Sequence, residues 1–160
     1  VILRRLVVHS AEDVGMADPN AMTVATSALL AFERLGAPEG LIPMSNAIVY
    51  VCEAEKSNSV IIAMDAAKRA AREVRDDNIP AYLRDSSFGD REAKAASARY
   101  KYPHNYGGWV RQQHLPDSLK GEVFYRPQGR GYEKTVADVR RQKGMPDNTL
   151  SDPPEGRPHP

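Results

Sequence analysis

The chain has 160 residues, 41% of them hydrophobic, with 22 Lys and Arg against 21 Asp and Glu and a formal net charge of +1. These values suit one soluble domain and argue against a chain-wide polybasic nucleic-acid binder, and no apolar run approaches the ~20 residues of a membrane span. The single Cys52 excludes an internal disulfide; following Val49, Tyr50 and Val51, it reads as a small buried hydrophobe in a reducing compartment.

Residues 1 to about 15 place Ile2, Leu3, Leu6, Val7, Ala11 and Val14 at helical spacing, opposite Arg4, Arg5, His9, Glu12 and Asp13, which predicts an amphipathic helix. The chain opens at Val1 already inside that pattern, with neither an initiator Met nor a signal-peptide pattern, so it reads as a fragment of something longer. Asp18-Pro19 predicts the next helix start: the carboxylate accepts an orphan amide and proline's fixed φ suits the first turn. Val24, Ala25, Ala28, Leu29, Phe32 and Leu35 form its stripe, and Gly36 stands where a left-handed cap is expected. From about Pro38 to Ala54 apolar residues surround the helical wheel, which predicts burial on two sides. Ser57 and Asn58 are candidate caps for a fourth helix to about Asp76, with Val60, Ala63, Met64, Ala67, Ala71 and Val74 inward.

The second half is less regular. Ile79-Pro80 interrupts helix, residues 80–85 suggest one turn, and 90–99 a short exposed helix. Recurrent Gly and Pro make 100–131 mostly loop, with a brief extended piece at Val123 to Tyr125. A basic helix spans about Tyr132 to Gln142, and the tail 144–160, rich in Pro, is expected to be disordered.

The near-neutral total conceals a gradient: net −3 over residues 1–98, +6 over 99–143 and −2 in the tail. Lys and Arg in the middle segment either solvate a surface or form a basic face for nucleic acid. The densest cluster, YKYPHNYGGWVRQQHLP from Tyr100 to Pro116, interleaves tyrosines and Trp109 with Lys101 and Arg111, a mixture suited to stacking bases and neutralising phosphates. The commoner role of such large amphipathic rings is to cover a helical core with their polar tips in water or on backbone. In FYRPQGRGYEK, Phe124 to Lys134, Gly129 and Gly131 allow a sharp turn, and Arg126 and Arg130 could clamp an anion.

No Gly-x-x-x-x-Gly-Lys-Ser/Thr, Gly-x-Ser-x-Gly or His-Glu-x-x-His occurs, and four histidines with one cysteine give no zinc spacing. A hydrolase centred on Cys52 with His104 or His114 would need the thiol near a base, which its apolar helix disfavours. Paired carboxylates such as Glu12 with Asp13, or Glu53 with Glu55, are ordinary features of solvated helix faces.

Taken together, RRLVVHSAEDVGMADP (Arg4 to Pro19), LGAPEG (Leu35 to Gly40), EKSN (Glu55 to Asn58), IPAYLRD (Ile79 to Asp85), YKYPHNYGGWVRQQHLP and FYRPQGRGYEK resemble the C-terminal region of the RarA/MgsA family of replication-associated recombination AAA+ ATPases, similar to the eukaryotic Werner-helicase-interacting ATPase. The resemblance runs in order from about Ile2 to Lys134. Two departures stand out: the alanine-rich EAKAASAR precedes YKYPH where relatives often carry glycine and tyrosine, and Asn105 replaces a common acid.

The resemblance implies a mainly α fold, a helical oligomerisation domain like a clamp-loader collar over 1–143, with a loop-rich C-terminal third. It implies homotetramerisation, a dimer being almost as natural on physical grounds, with no catalytic, cofactor or metal residue in this chain. ATP and Mg would bind an upstream ATPase domain, and the whole protein would act in the cytoplasm at replication forks with DNA and single-strand-binding protein, away from membranes. The alternative is a DNA-binding module using Arg99, Lys101, Arg111, Arg126, Arg130 and Lys134 on phosphates, with Trp109 or Tyr102 stacking.

Overall fold

In a computed structural model that describes residues 1–74, 79–84, 91–146 and 148, the first amphipathic segment forms α1, Ile2–His9. It widens into a π-helical turn, Ser10–Val14, and closes with a 3-10 turn, Gly15–Ala17. The Ser10 hydroxyl donates to the Val7 carbonyl at 2.7 Å, and Ser10 and Val14 are both buried by the widened turn. Asp18 starts the next helix as expected: its carboxylate accepts the Asn20 amide at 3.0 Å, and α2 runs Asn20–Leu35. Gly36 has the expected positive φ of 66°, but its ψ of −171° sends the chain out extended, so the left-handed helical cap does not form.

α3, Leu41–Glu53, packs back along α2, and α1 lies across both. Their shared core is made of small residues: Leu3, Ala28 and Ala47 at one end, Val14, Ala21 and Val51 at the other, with Leu6, Val24, Leu29, Phe32 and Met44 filling around them. Fully buried alanines at 21, 25 and 47 let the helix backbones approach closely.

Burial of α3 on two sides does not occur. Ala47 and Val51 face the core, whereas Ile42 is 74% exposed, Val49 61%, and Leu41 and Cys52 are exposed as well. Cys52 lies one position beyond buried Val51, about 100° round the helix, so the expectation of a buried thiol is overturned. α4, Ser59–Glu73, departs in the same way: only its Ser59 is buried, and Val60 and Met64 are exposed. It meets the body of the domain at its N-terminal end, beside the π-helical and 3-10 turns, and of the rest of its stripe Ala63, Ala67 and Val74 are only half-buried and Ala71 is exposed. Leu35 and Ile2, expected to face inward, are also exposed.

The second half follows the sequence closely. A 3-10 turn covers Ala81–Leu83, and α5, Arg91–Ala96, continues into a 3-10 turn at Ser97–Arg99. Two further 3-10 turns, Pro103–Tyr106 and Asp117–Leu119, interrupt loop, and no strand occurs among the described residues, Val123 to Tyr125 included. α6, Tyr132–Gln142, packs on the Gly15–Ala17 turn.

Of the tail, Gly144 to Pro146 and Asn148 are described. Met145 N–H donates to the Arg140 carbonyl at 3.0 Å, and Asn148, 6% exposed, donates through Nδ2 to the Tyr125 carbonyl at 2.7 Å. The rest of the tail, and the expected end of the fourth helix near Asp76, lie outside the described residues.

Candidate functional site

Three segments far apart in sequence meet at one buried carboxylate. Glu133, in the first turn of α6, is fully buried. Its Oε1 accepts the hydroxyls of Ser59 at 2.6 Å, Ser57 at 2.8 Å and Tyr125 at 3.2 Å. Its Oε2 accepts the backbone amides of Gln128 at 2.9 Å and Arg130 at 3.3 Å. The Arg130 bond is the reciprocal half of a capping box, a carboxylate reaching back three residues to an orphan amide before the helix. Burial alone pushes the Glu133 carboxyl upward; the two serine hydroxyls and the two loop amides outweigh it and hold the pKa below its ordinary value of 4.5. Tyr125 moves the other way, to about 12, because burial and the neighbouring Glu133 charge both oppose its ionisation.

Around this carboxylate the chain crossings are very close. The Ser57 amide donates to the Asp13 carbonyl at 2.7 Å, Gln128 Nε2 donates to Asn58 Oδ1, and Arg130 Nη1 donates to the Lys56 carbonyl at 3.1 Å. Asn58 thus spends its side chain on the loop, so of the two expected caps only Ser57 serves α4, accepting the Ser59 amide at 3.4 Å. A Cβ added at Gly131, φ 48°, would lie 2.1 Å from the Ala17 carbonyl oxygen, and one at Gly15, φ 51°, 2.8 Å from that of Ser57. Only glycine fits at either crossing. Lys56 closes α3 by donating to the carbonyls of Val51 at 2.9 Å, Cys52 at 3.1 Å and Ala54.

Five donors already occupy the two oxygens of Glu133. The arrangement therefore acts as a lock, fixing the RPQGRGYE loop and α6 on the α3–α4 junction, rather than as an acid or base with a free valence. Sequence reading passed Glu133 over; the available signal was a lone carboxylate three residues after a turn amide at a helix start.

The cations read as candidate nucleic-acid contacts fall in two groups. Lys101 and Arg111 lie at a pairing of the Gln112 side-chain amide with the Lys101 backbone, in which Gln112 Nε2 donates to the Lys101 carbonyl at 2.9 Å and Gln112 Oε1 accepts the Lys101 amide at 3.1 Å. Arg99 joins Tyr82, Gln113 and Asp117 around a nearby cleft. Arg126, Arg130 and Lys134 belong to the locked loop and the start of α6. All six are exposed, and none makes an ion pair among the described residues. Trp109 is half-buried; Tyr102 is exposed and lies against His104, with ring centroids 5.0 Å apart.

Cys52 has no hydrogen bond from its thiol among the described residues, and His9 is paired with Asp13 at 2.5 Å. No group of three or more His, Cys, Asp and Glu side chains that could hold a metal occurs among the described residues. No helix described is long and apolar enough to cross a membrane.

Fold and site define the class: a helical domain whose loop-rich C-terminal third is latched to its helices by one buried carboxylate. Residues 1–143 match the family model described as MgsA AAA+ ATPase C terminal, and the chain belongs to that family. It is 41% identical over 140 residues to replication-associated recombination protein A of Bacillus subtilis, covering 86% of this chain and 33% of the relative. It is 34% identical over 139 residues to the protein of the same name in Escherichia coli K12, covering 86% and 31%. ATPase WRNIP1 of Dictyostelium discoideum is 28% identical over 148 residues, covering 91% and 16%. The chain thus spans about a third or less of the length of these relatives.

Proposed function

We propose that this domain joins copies of its parent protein into a homo-oligomer, a tetramer by analogy with the family, and carries no catalytic step itself. The observation that supports the reading is apolar surface left exposed among the described residues: Ile42, Val49, Leu41 and Cys52 on α3, with Val60, Ile62 and Met64 on α4. A contiguous exposed apolar surface of this kind marks an interaction site, and closed symmetry is the usual result for identical chains. On this reading the parent is an ATP-hydrolysing AAA+ protein of replication-associated recombination, which the family description and the names of two relatives support; its place in the cytoplasm at replication forks, with DNA and single-strand-binding protein, belongs to the same proposal. ATP and Mg are assigned to its ATPase portion, since these 160 residues lack a phosphate-binding loop. Sedimentation equilibrium tests the reading: association at about ten micromolar is expected, and a monomer at that concentration overturns it.

A second reading rests on the six exposed cations, none of them ion-paired among the described residues: the 99–134 segment contacts DNA phosphates. It predicts anisotropy-detected binding to single-stranded or forked DNA that weakens steeply with salt. Absence of binding at low salt removes it.

A further inference from the structure

α6 ends on a turn that reverses the chain. The Met145 amide donates to the Arg140 carbonyl and the Gly144 amide to the Arg141 carbonyl, both at 3.0 Å, and Gly144 has a φ of 63°. This is the Schellman pattern, with glycine at the left-handed position where a side chain would be strained. Beyond the turn the chain makes two side-chain anchors. Arg140 Nη2 donates to the Pro146 carbonyl at 3.0 Å, and Asn148 Nδ2 donates to the Tyr125 carbonyl at 2.7 Å. Asn148 is 6% exposed, a burial that a short polar side chain reaches only when it is held. All of these residues from Gly144 onward lie past the 1–143 span of the family model.

The two ends of α6 therefore grip the same loop. In the first turn, Glu133 accepts the amides of Gln128 and Arg130 and the hydroxyl of Tyr125. After the last turn, Asn148 holds the backbone of that same Tyr125. Arg140 stands near enough to the Tyr125 phenol for its charge to oppose part of the upward shift that burial and Glu133 impose. We infer that Gly144 to Pro146 and Asn148 form a strap across the Tyr125 entry to the RPQGRGYE loop, with Asn148 as its pin, and that releasing the strap opens the Glu133 lock.

The strap is poised rather than permanent. Arg140 Nε and Asn148 Oδ1 are buried and have no hydrogen-bond partner among the described residues. Each of the two anchoring side chains thus satisfies one polar atom and leaves another orphaned, and a buried orphan offsets much of what a hydrogen bond contributes. Closure gains little net free energy, so a modest pull on the chain beyond Asn148 suffices to reverse it. The core of α1, α2 and α3 has no part in these contacts. An open strap consequently frees the loop from the α3–α4 junction while the helical body stays folded.

Amide hydrogen exchange in the full 160-residue chain tests this, read at Gln128 and Arg130 with the amides of α2 as internal reference. Asn148→Ala removes the pin and is expected to speed exchange at both loop amides by about tenfold, with α2 unchanged. A chain ending at Lys143 lacks both anchors and is expected to show a local rise at least as large. Glu133→Ala gives the exchange of the open lock for comparison. Wild-type exchange at Gln128 and Arg130 in either strap variant overturns the inference. So does a rise of the same factor in α2, which would mean that the variant loosens the whole domain and that Asn148 is an ordinary stabilising contact.

Discussion

Removing the Glu133 carboxylate tests whether it is a lock. In Glu133→Ala the hydroxyls of Ser57 and Ser59, whose oxygens are 3.0 Å apart, can turn to each other, and Tyr125 can turn away. The amides of Gln128 and Arg130 cannot, because the loop fixes them. Each part-buried orphan amide costs about 1–3 kcal/mol, so with the space left by the side chain the loss is about 3–5 kcal/mol. Glu133→Gln keeps one carbonyl oxygen for those amides and turns its NH2 toward hydroxyls that can accept; it loses the charge assistance and costs about 1–2 kcal/mol. The two variants also differ from wild type in pH response. Because the folded carboxyl titrates below its unfolded value, the unfolded chain binds more protons in that window. The stability from Glu133 is complete above the ordinary value of 4.5 and is lost as pH falls through the folded pKa. Urea unfolding followed by circular dichroism, from roughly pH 6 to pH 3, checks both points. The gap between wild type and Glu133→Gln should close on the acid side. A loss below about 0.5 kcal/mol in Glu133→Ala, or a gap independent of pH, would refute the lock.

Three further outcomes follow from the same crossings. Gly131→Ala, whose Cβ meets the Ala17 carbonyl at 2.1 Å, should lower the thermal midpoint far more than Gly129→Ala, which has positive φ and open space; about 3 kcal/mol or more against about 1 kcal/mol is expected. Lys56→Met removes the ammonium closing α3 and should cost about 1–2 kcal/mol in urea titration, with little loss of far-ultraviolet helix signal. Tyr125, raised to about 12, favours the fold below the unfolded tyrosine value of 10.0 and loses that contribution as pH rises toward 12; Tyr125→Phe should unfold at higher pH than wild type in an alkaline titration followed by circular dichroism.

Much of the candidate site was legible only as scattered signals. Ser57 read as a cap and Gly131 as turn glycine, and both readings describe local geometry correctly. Glu133 read as one charge in a basic helix, because its partners Ser57 and Ser59 lie 76 and 74 residues upstream. Local patterns carry no information about such distances. The aromatic stretch from Tyr100 shows the converse: its polar and apolar roles were both open in sequence, and the structure leaves Tyr100, Tyr102 and Tyr106 exposed while Trp109 is half-buried.

The sequence by itself determined the helical periods, the Asp18-Pro19 start, the loop-rich stretch before α6 and, through its ordered set of motifs, the family. These depend on backbone propensity and spacing, which neighbouring residues set. The tertiary structure decided which apolar stripes are covered and that the charge of Glu133 is buried. An apolar face at helical spacing says that a partner is favourable, not that one is present. α3 finds α2 and α1 on one side and, among the described residues, no covering element on the other, so Ala47 is buried and Ile42 and Cys52 face outward. Likewise a carboxylate is buried only where enough donors converge to replace water, and that convergence exists only after the RPQGRGYE loop has closed on the α3–α4 junction.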